Sequence, residues 1–140
     1  MKLHKTEGTA PAAAPVGIDG NSIYVNGAVG ANNFTVQMDD NTEFEIGGPT
    51  AVSASNGGDL LVQINLADVF KQIDLSGVTN NEVISSSSRH SGSNLCASID
   101  ASANDIYTCI RKGLEKHADF GEDRNGDDSL ESGDDDSVKE

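Results

Sequence analysis

Between Asp123 and Asp134, in "DRNGDDSLESGD", an oxygen-bearing side chain recurs at nearly every second position. That spacing suits a chain wrapping a hard cation. Ca2+ takes six to eight oxygens, and loops of the EF type supply them from positions 1, 3, 5, 7, 9 and 12. With Asp123 first, the ligands would be Asp123, Asn125, Asp127, the carbonyl of Ser129, Glu131 and Asp134, and Leu130 would be the apolar anchor. Two positions depart from the pattern. Asp128 stands where such loops turn on Gly, although Asp tolerates the left-handed region better than most residues. Asp134 stands where Glu would coordinate through both oxygens. A helix is expected to enter the loop, but "SGDDDSVKE" offers no exiting helix. Binding would then sit near ~10⁻⁴–10⁻³ M, the weak end of the known range. The alternative reading is a solvated acidic tail.

Other constellations are thinner. His4, His90 and His117 have no metal-ligand spacing to one another, and copper or zinc held by them would need Met38 as a soft ligand. Ser85–Ser88 with His90 nearby lack the strand–turn–helix setting that exposes a nucleophilic serine. The acids Asp39, Asp40, Glu43 and Glu45 read as a turn and the solvent face of a strand rather than a glycosidase pair. No phosphate-cradling glycine motif occurs.

Charge narrows the partners. The formal net charge is −14, and the stretch from Asp119 to Glu140 alone holds ten acids against two bases. Phosphate backbones and anionic bilayers are repelled by such a surface, so neither nucleic acid nor lipid is the expected partner. Cations and basic protein surfaces are. No apolar run is long enough to span a bilayer, and "MKLHKTEGTAPAAAP" lacks the apolar stretch of a signal peptide.

The elements that must position these residues are β-rich. With 140 residues the chain makes one domain. Aromatics supply only 4%, so the core must be built from Val, Ile, Leu and Ala. Residues 1–20 read as a flexible Pro/Ala/Gly arm, 21–121 as the β-rich domain, and 122–140 as the acidic tail. Strand candidates are 22–29, 33–38, 43–46, 50–54 and 60–66, separated by turn clusters such as "GANN" and "SNGG". Phe34, Val36 and Met38 alternate onto one face, as do Leu60, Val62, Ile64 and Leu66. The expected fold is mainly β, an antiparallel meander or incomplete β-sandwich with one C-terminal helix packed on it. That helix is expected over 102–118, capped by Ser102, with Ile106, Tyr107, Ile110 and Leu114 on its buried stripe and Gly121 as its stop. Gly113 should weaken it by roughly 1 kcal/mol. Residues 67–78 fit either a helical turn or a loop, and 85–94 read as a mobile surface loop.

Cys96 and Cys109 close about 14 residues if oxidised, worth ~3 kcal/mol in the chain-entropy model. Their separation fits no zinc site. Six connecting residues can span the ~10 Å back to the helix, so a bridge is possible, and two buried thiols are the alternative. A bridge would indicate an oxidising compartment.

"LHK" at 3–5, "GNSIYVNGAVGANNFTVQMDD", "LLVQINLADVF" and "ADFGEDRNGDD" occur in an order that resembles the C-terminal part of a loose group of uncharacterised exported bacterial proteins, often lipoproteins. This resemblance implies export, a β-sandwich-like domain and a non-enzymatic role, and it transfers no site residues. It also implies further strands ahead of "LHK". Without them a sheet edge would be open to protein partners or to a second copy. The reading is therefore an extracellular, cell-surface or periplasmic module with an adhesion, surface or assembly role, and Ca2+ as its possible ion. Its rival is a small periplasmic metal-binding or carrier protein.

Overall fold

A computed structural model of the chain describes residues 2–3, 12–14, 16–39, 42–43, 59–123, 130 and 136–137. In chain order the elements are β1 (Lys2–Leu3), β2 (Ile23–Val29), β3 (Asn32–Met38), β4 (Thr42–Glu43), β5 (Asp59–Ile64), α1 (Leu66–Lys71), β6 (Glu82–Ile84), α2 (Ile106–His117), β7 (Ala118–Asp123) and β8 (Asp136–Ser137). The described part is mainly β. Its strands form one pair, β1-β4, and two three-stranded sheets, β2-β3-β6 and β5-β7-β8.

The hairpin β2–β3 follows directly from the sequence. Ile23, Val25, Gly27 and Val29 oppose Met38, Val36, Phe34 and Asn32, so one face carries every large apolar residue of β3. The two-residue turn puts Gly30 at φ 58, a left-handed angle that glycine adopts without a Cβ penalty. Phe34, Val36 and Met38 are buried.

The expected meander is not what the remaining strands form. β6 lies parallel to β3, pairing Phe34, Thr35 and Val36 with Glu82, Val83 and Ile84. β5 leaves the hairpin and pairs antiparallel with β7, from Ile64↔Ala118 to Asp59↔Asp123. β7 was not expected, because "ADFGED" shows little apolar alternation; it is a strand by backbone pairing to β5 on one side and β8 on the other. The candidate strand at 50–54 and the end of that at 43–46 lie outside the described residues. Within the expected N-terminal arm, Lys2 and Leu3 pair with Glu43 and Thr42.

There are two helices among the described residues, not one. α1 starts at Asn65, whose side chain accepts from the Asp68 amide. α2 starts at Asp105 rather than Ser102. Ser102 is held instead by Asp100, whose carboxylate accepts from both its amide and its hydroxyl. Asp105 is only 7% exposed and accepts from the amide and hydroxyl of Thr108 at 2.7 and 3.0 Å. The amides of Ile106 and Tyr107 donate to the carbonyls of His90 and Arg89, and that of Cys109 to Asp105. The amides of Ile106, Tyr107 and Thr108, which the helix itself leaves orphaned, are thus paired, and that of Cys109 makes the first bond within the helix. At the other end the chain passes from His117 into extended Ala118 without a glycine stop, because Ala118 is already paired with Ile64.

These bonds also tie down 85–94, the segment expected to be a mobile surface loop. Ser91 bridges Asp105, the Gly92 amide donates to Asn104, and the Arg89 guanidinium lies 4.9 Å from the centre of the Tyr107 ring. Ile106, Tyr107, Ile110 and Leu114 share one buried cluster with Phe34, Val36, Met38 and Ile84, so the expected helical stripe does face the hairpin sheet's core. Gly113 faces α1: a Cβ there would stand 2.7 Å from Val69 Cγ1. The glycine that weakens the helix allows the two helices to approach.

Candidate functional site

Three groups of side chains or register positions bear on chemistry. The first is the mouth of the acidic segment. Asp123 is the last residue of β7, and β8 returns so that Gly121 and Glu122 oppose Ser137 and Asp136. The segment between them therefore begins and ends on neighbouring strands. Asp123 opposes Asp59 on the other side. The chain enters Asp123 as a strand, since α2 has ended at His117, so the helix-led frame of an EF loop is corrected. Of the expected ligands, Asn125, Asp127, Ser129, Glu131 and Asp134 lie outside the described residues. Leu130, the expected anchor, donates its amide to Gln63 Oε1 at 2.9 Å.

Beside it is a polar cleft of about 300 Å³ lined by Gln63, Asn65, Lys116, His117, Asp119 and Leu130. His117 Nε2 is 2.6 Å from Gln72 Nε2, which also donates to the Asp68 carbonyl. An amide nitrogen only donates, so the imidazole accepts at Nε2.

The second group is Glu82 and His90. His90 Nδ1 lies 2.5 Å from Glu82 Oε1, and each side chain is 18% exposed. The other carboxylate oxygen of Glu82 accepts from the amide and hydroxyl of Thr79 at 2.7 and 3.0 Å. Burial pushes the Glu82 carboxyl up. The hydrogen bonds from Thr79 and His90 and the charge on His90 outweigh it, and the balance lies below the ordinary glutamate value. An acid on Nδ1 is half of a hydrolase triad, but the serines of 85–88 bond among themselves, Ser85 Oγ to Ser87 Oγ and to the Ser88 amide. His90 Nε2 faces the backbone of Gly77, where a Cβ would stand at 3.1 Å. Sequence spacing gave no signal for the Glu82–His90 pair, because the two meet across a turn rather than along one element.

The third group is the disulfide. Cys96 and Cys109 are joined, with Cα atoms 5.8 Å apart, and both are buried. The bridge fastens the approach segment to the first turn of α2, as the spacing allowed.

The soft-metal alternative draws on scattered residues. Met38 is wholly buried in the hairpin's core face, His90 and His117 are engaged as described, and His4 lies outside the described residues. Among the described residues no group of three or more His, Cys, Asp or Glu is placed to hold a metal, and no helix is long and apolar enough to cross a membrane.

Fold and site define a class: a small, mainly β domain closed by one disulfide, with its acids concentrated at one end. Set against protein families, curated proteins and solved structures, the chain matches none.

Proposed function

We propose that this chain is an exported, non-catalytic β-rich module with a surface, adhesion or assembly role, and that it holds Ca2+ at the mouth of its acidic C-terminal segment. One observation carries the calcium reading. The strand register sets Asp59 opposite Asp123, the first residue of the EF-like spacing. Like charges directly across a sheet destabilise it, and a divalent cation with oxygen ligands turns that repulsion into coordination. The EF-like spacing that starts at Asp123 supplies further oxygens from the same segment. Export is supported by the disulfide, since such bridges persist in oxidising compartments.

Calorimetric titration with Ca2+ tests the reading. Binding is expected with a dissociation constant of ~10⁻⁴–10⁻³ M, and Asp123→Asn should weaken it about tenfold or more. No heat up to about 10 mM Ca2+ would remove the site, as would an Asp123→Asn variant that binds unchanged.

A further inference from the structure

The polar cleft beside Leu130 is walled by three elements. β5 brings Gln63, α2 ends there with Lys116 and His117, and β7 begins with Ala118 and Asp119. The register sets Gln63 directly opposite Asp119, on one face of the sheet. Its volume of about 300 Å³ has room for a molecule of several heavy atoms, well beyond a single water.

Two donors in this wall are left over. Gln63 accepts from the Leu130 amide through Oε1, and its Nε2 has no hydrogen-bond partner among the described residues. His117 accepts from Gln72 at Nε2, so the neutral ring carries its proton on Nδ1, which has no such partner either. Both residues are half-buried, where a donor without an acceptor costs stability. The same wall holds opposite charges, Lys116 next to His117 and Asp119 across from Gln63.

We propose that this cleft binds a free α-amino acid. The ligand's carboxylate accepts from Gln63 Nε2 and His117 Nδ1, with Lys116 supplying positive charge. Its ammonium meets the Asp119 carboxylate. Charge selects the zwitterion. A lone anion would meet Asp119 in a chain of net charge −14. A lone amine would meet Lys116 and would leave both donors unpaired. An amino acid has no net charge and offers each side of the wall the group it lacks. This is a binding function beyond the surface or assembly role, and it is independent of Ca2+.

Titration of the isotope-labelled full chain with L-alanine in EDTA, followed by two-dimensional NMR, tests the site apart from the calcium reading. Saturable shifts of the Gln63 side-chain amide are expected, with a dissociation constant of ~10⁻³ M or tighter. Lactate replaces the ammonium with a hydroxyl and ethylamine lacks the carboxylate, and each should bind about tenfold or more weakly. Gln63→Glu keeps the oxygen that accepts from Leu130, but it removes the donor and sets a charge against the ligand's carboxylate. Asp119→Asn keeps the oxygen that accepts from the Phe120 amide and removes the charge that meets the ammonium. Both variants should weaken L-alanine about tenfold or more while keeping the parent's melting temperature. No saturable shift up to about 50 mM L-alanine means that the cleft holds only water, and overturns the proposal. So does lactate binding as tightly as L-alanine, which marks an anion site, or L-alanine binding unchanged in either variant.

Discussion

Glu82 is held between opposing influences. Burial disfavours its charge, and three hydrogen bonds from Thr79 and His90 favour it, with the lowering influences prevailing. A carboxyl depressed on folding contributes stability above its unfolded value, and that contribution is lost as pH falls through the lower folded value. The ordinary value is 4.5, so the loss belongs to the acid side of it. Urea unfolding at pH ~7 and pH ~3 should show the parent losing more stability than Glu82→Gln over that interval. Asp74 and Asp100 are also lowered, by hydrogen bonds from Ser76 and Ser102, and they add to the same acid limb. The informative quantity is therefore the difference between the two proteins, and parallel curves would mean that Glu82 contributes nothing to it. Little of this was legible in the sequence. A glutamate and a histidine eight residues apart, with four serines between, have no periodicity that brings them together; the turn at Asn81, with φ 62, and the pairing of 89–92 with 104–107 do so.

At the scale of elements, legibility followed the source of each element's stability. β2, β3 and α2 are fixed by their own apolar patterns, and they lie within a few residues of where period and capping put them. β7 and β6 are fixed by partners distant in the chain, which a local pattern does not carry. The start of α2 differs from the expected cap at Ser102: Asp100 binds Ser102, and Asp105 caps three residues later. The candidate ion loop rests in the sequence on spacing alone: Asp123 is on a strand, and the register partner Asp59 could not be foreseen. Gly113 gives the sharpest test at this scale. Replacing it with alanine gains roughly 1 kcal/mol of helix propensity. The new methyl would stand 2.7 Å from Val69 Cγ1 and 3.2 Å from Ile99 Cδ1, and such overpacking costs about 1–3 kcal/mol. Gly113→Ala should therefore be destabilising by about 1 kcal/mol in urea unfolding, against the propensity expectation. Val69→Ala in the same chain should recover part of that loss, a coupling measured by a double-mutant cycle. Additive effects would show that α1 and α2 are not in register at this point.

For the whole molecule, the disulfide decides how much the core must supply. A chain of 140 residues with 4% aromatics gains modest area from each side chain it buries, and its acids repel one another at one end. The bridge from Cys96 to Cys109 acts on the unfolded chain, which loses freedom whatever the core does. It also holds the segment that precedes Asp105, where the amides of α2 find their caps. Its removal has two separable effects. Cys96→Ser with Cys109→Ser should cost ~3 kcal/mol of unfolding free energy through the larger unfolded ensemble. It should also raise amide exchange at Ile106 and Tyr107 above that at Ile110 and Leu114, because the first two are capped by the tethered loop and the latter by the helix itself. A loss below about 1 kcal/mol with unchanged exchange would make the bridge incidental to the fold. A uniform rise in exchange along α2 would show that helix and loop open as one unit, with the bridge acting on their docking rather than on the cap.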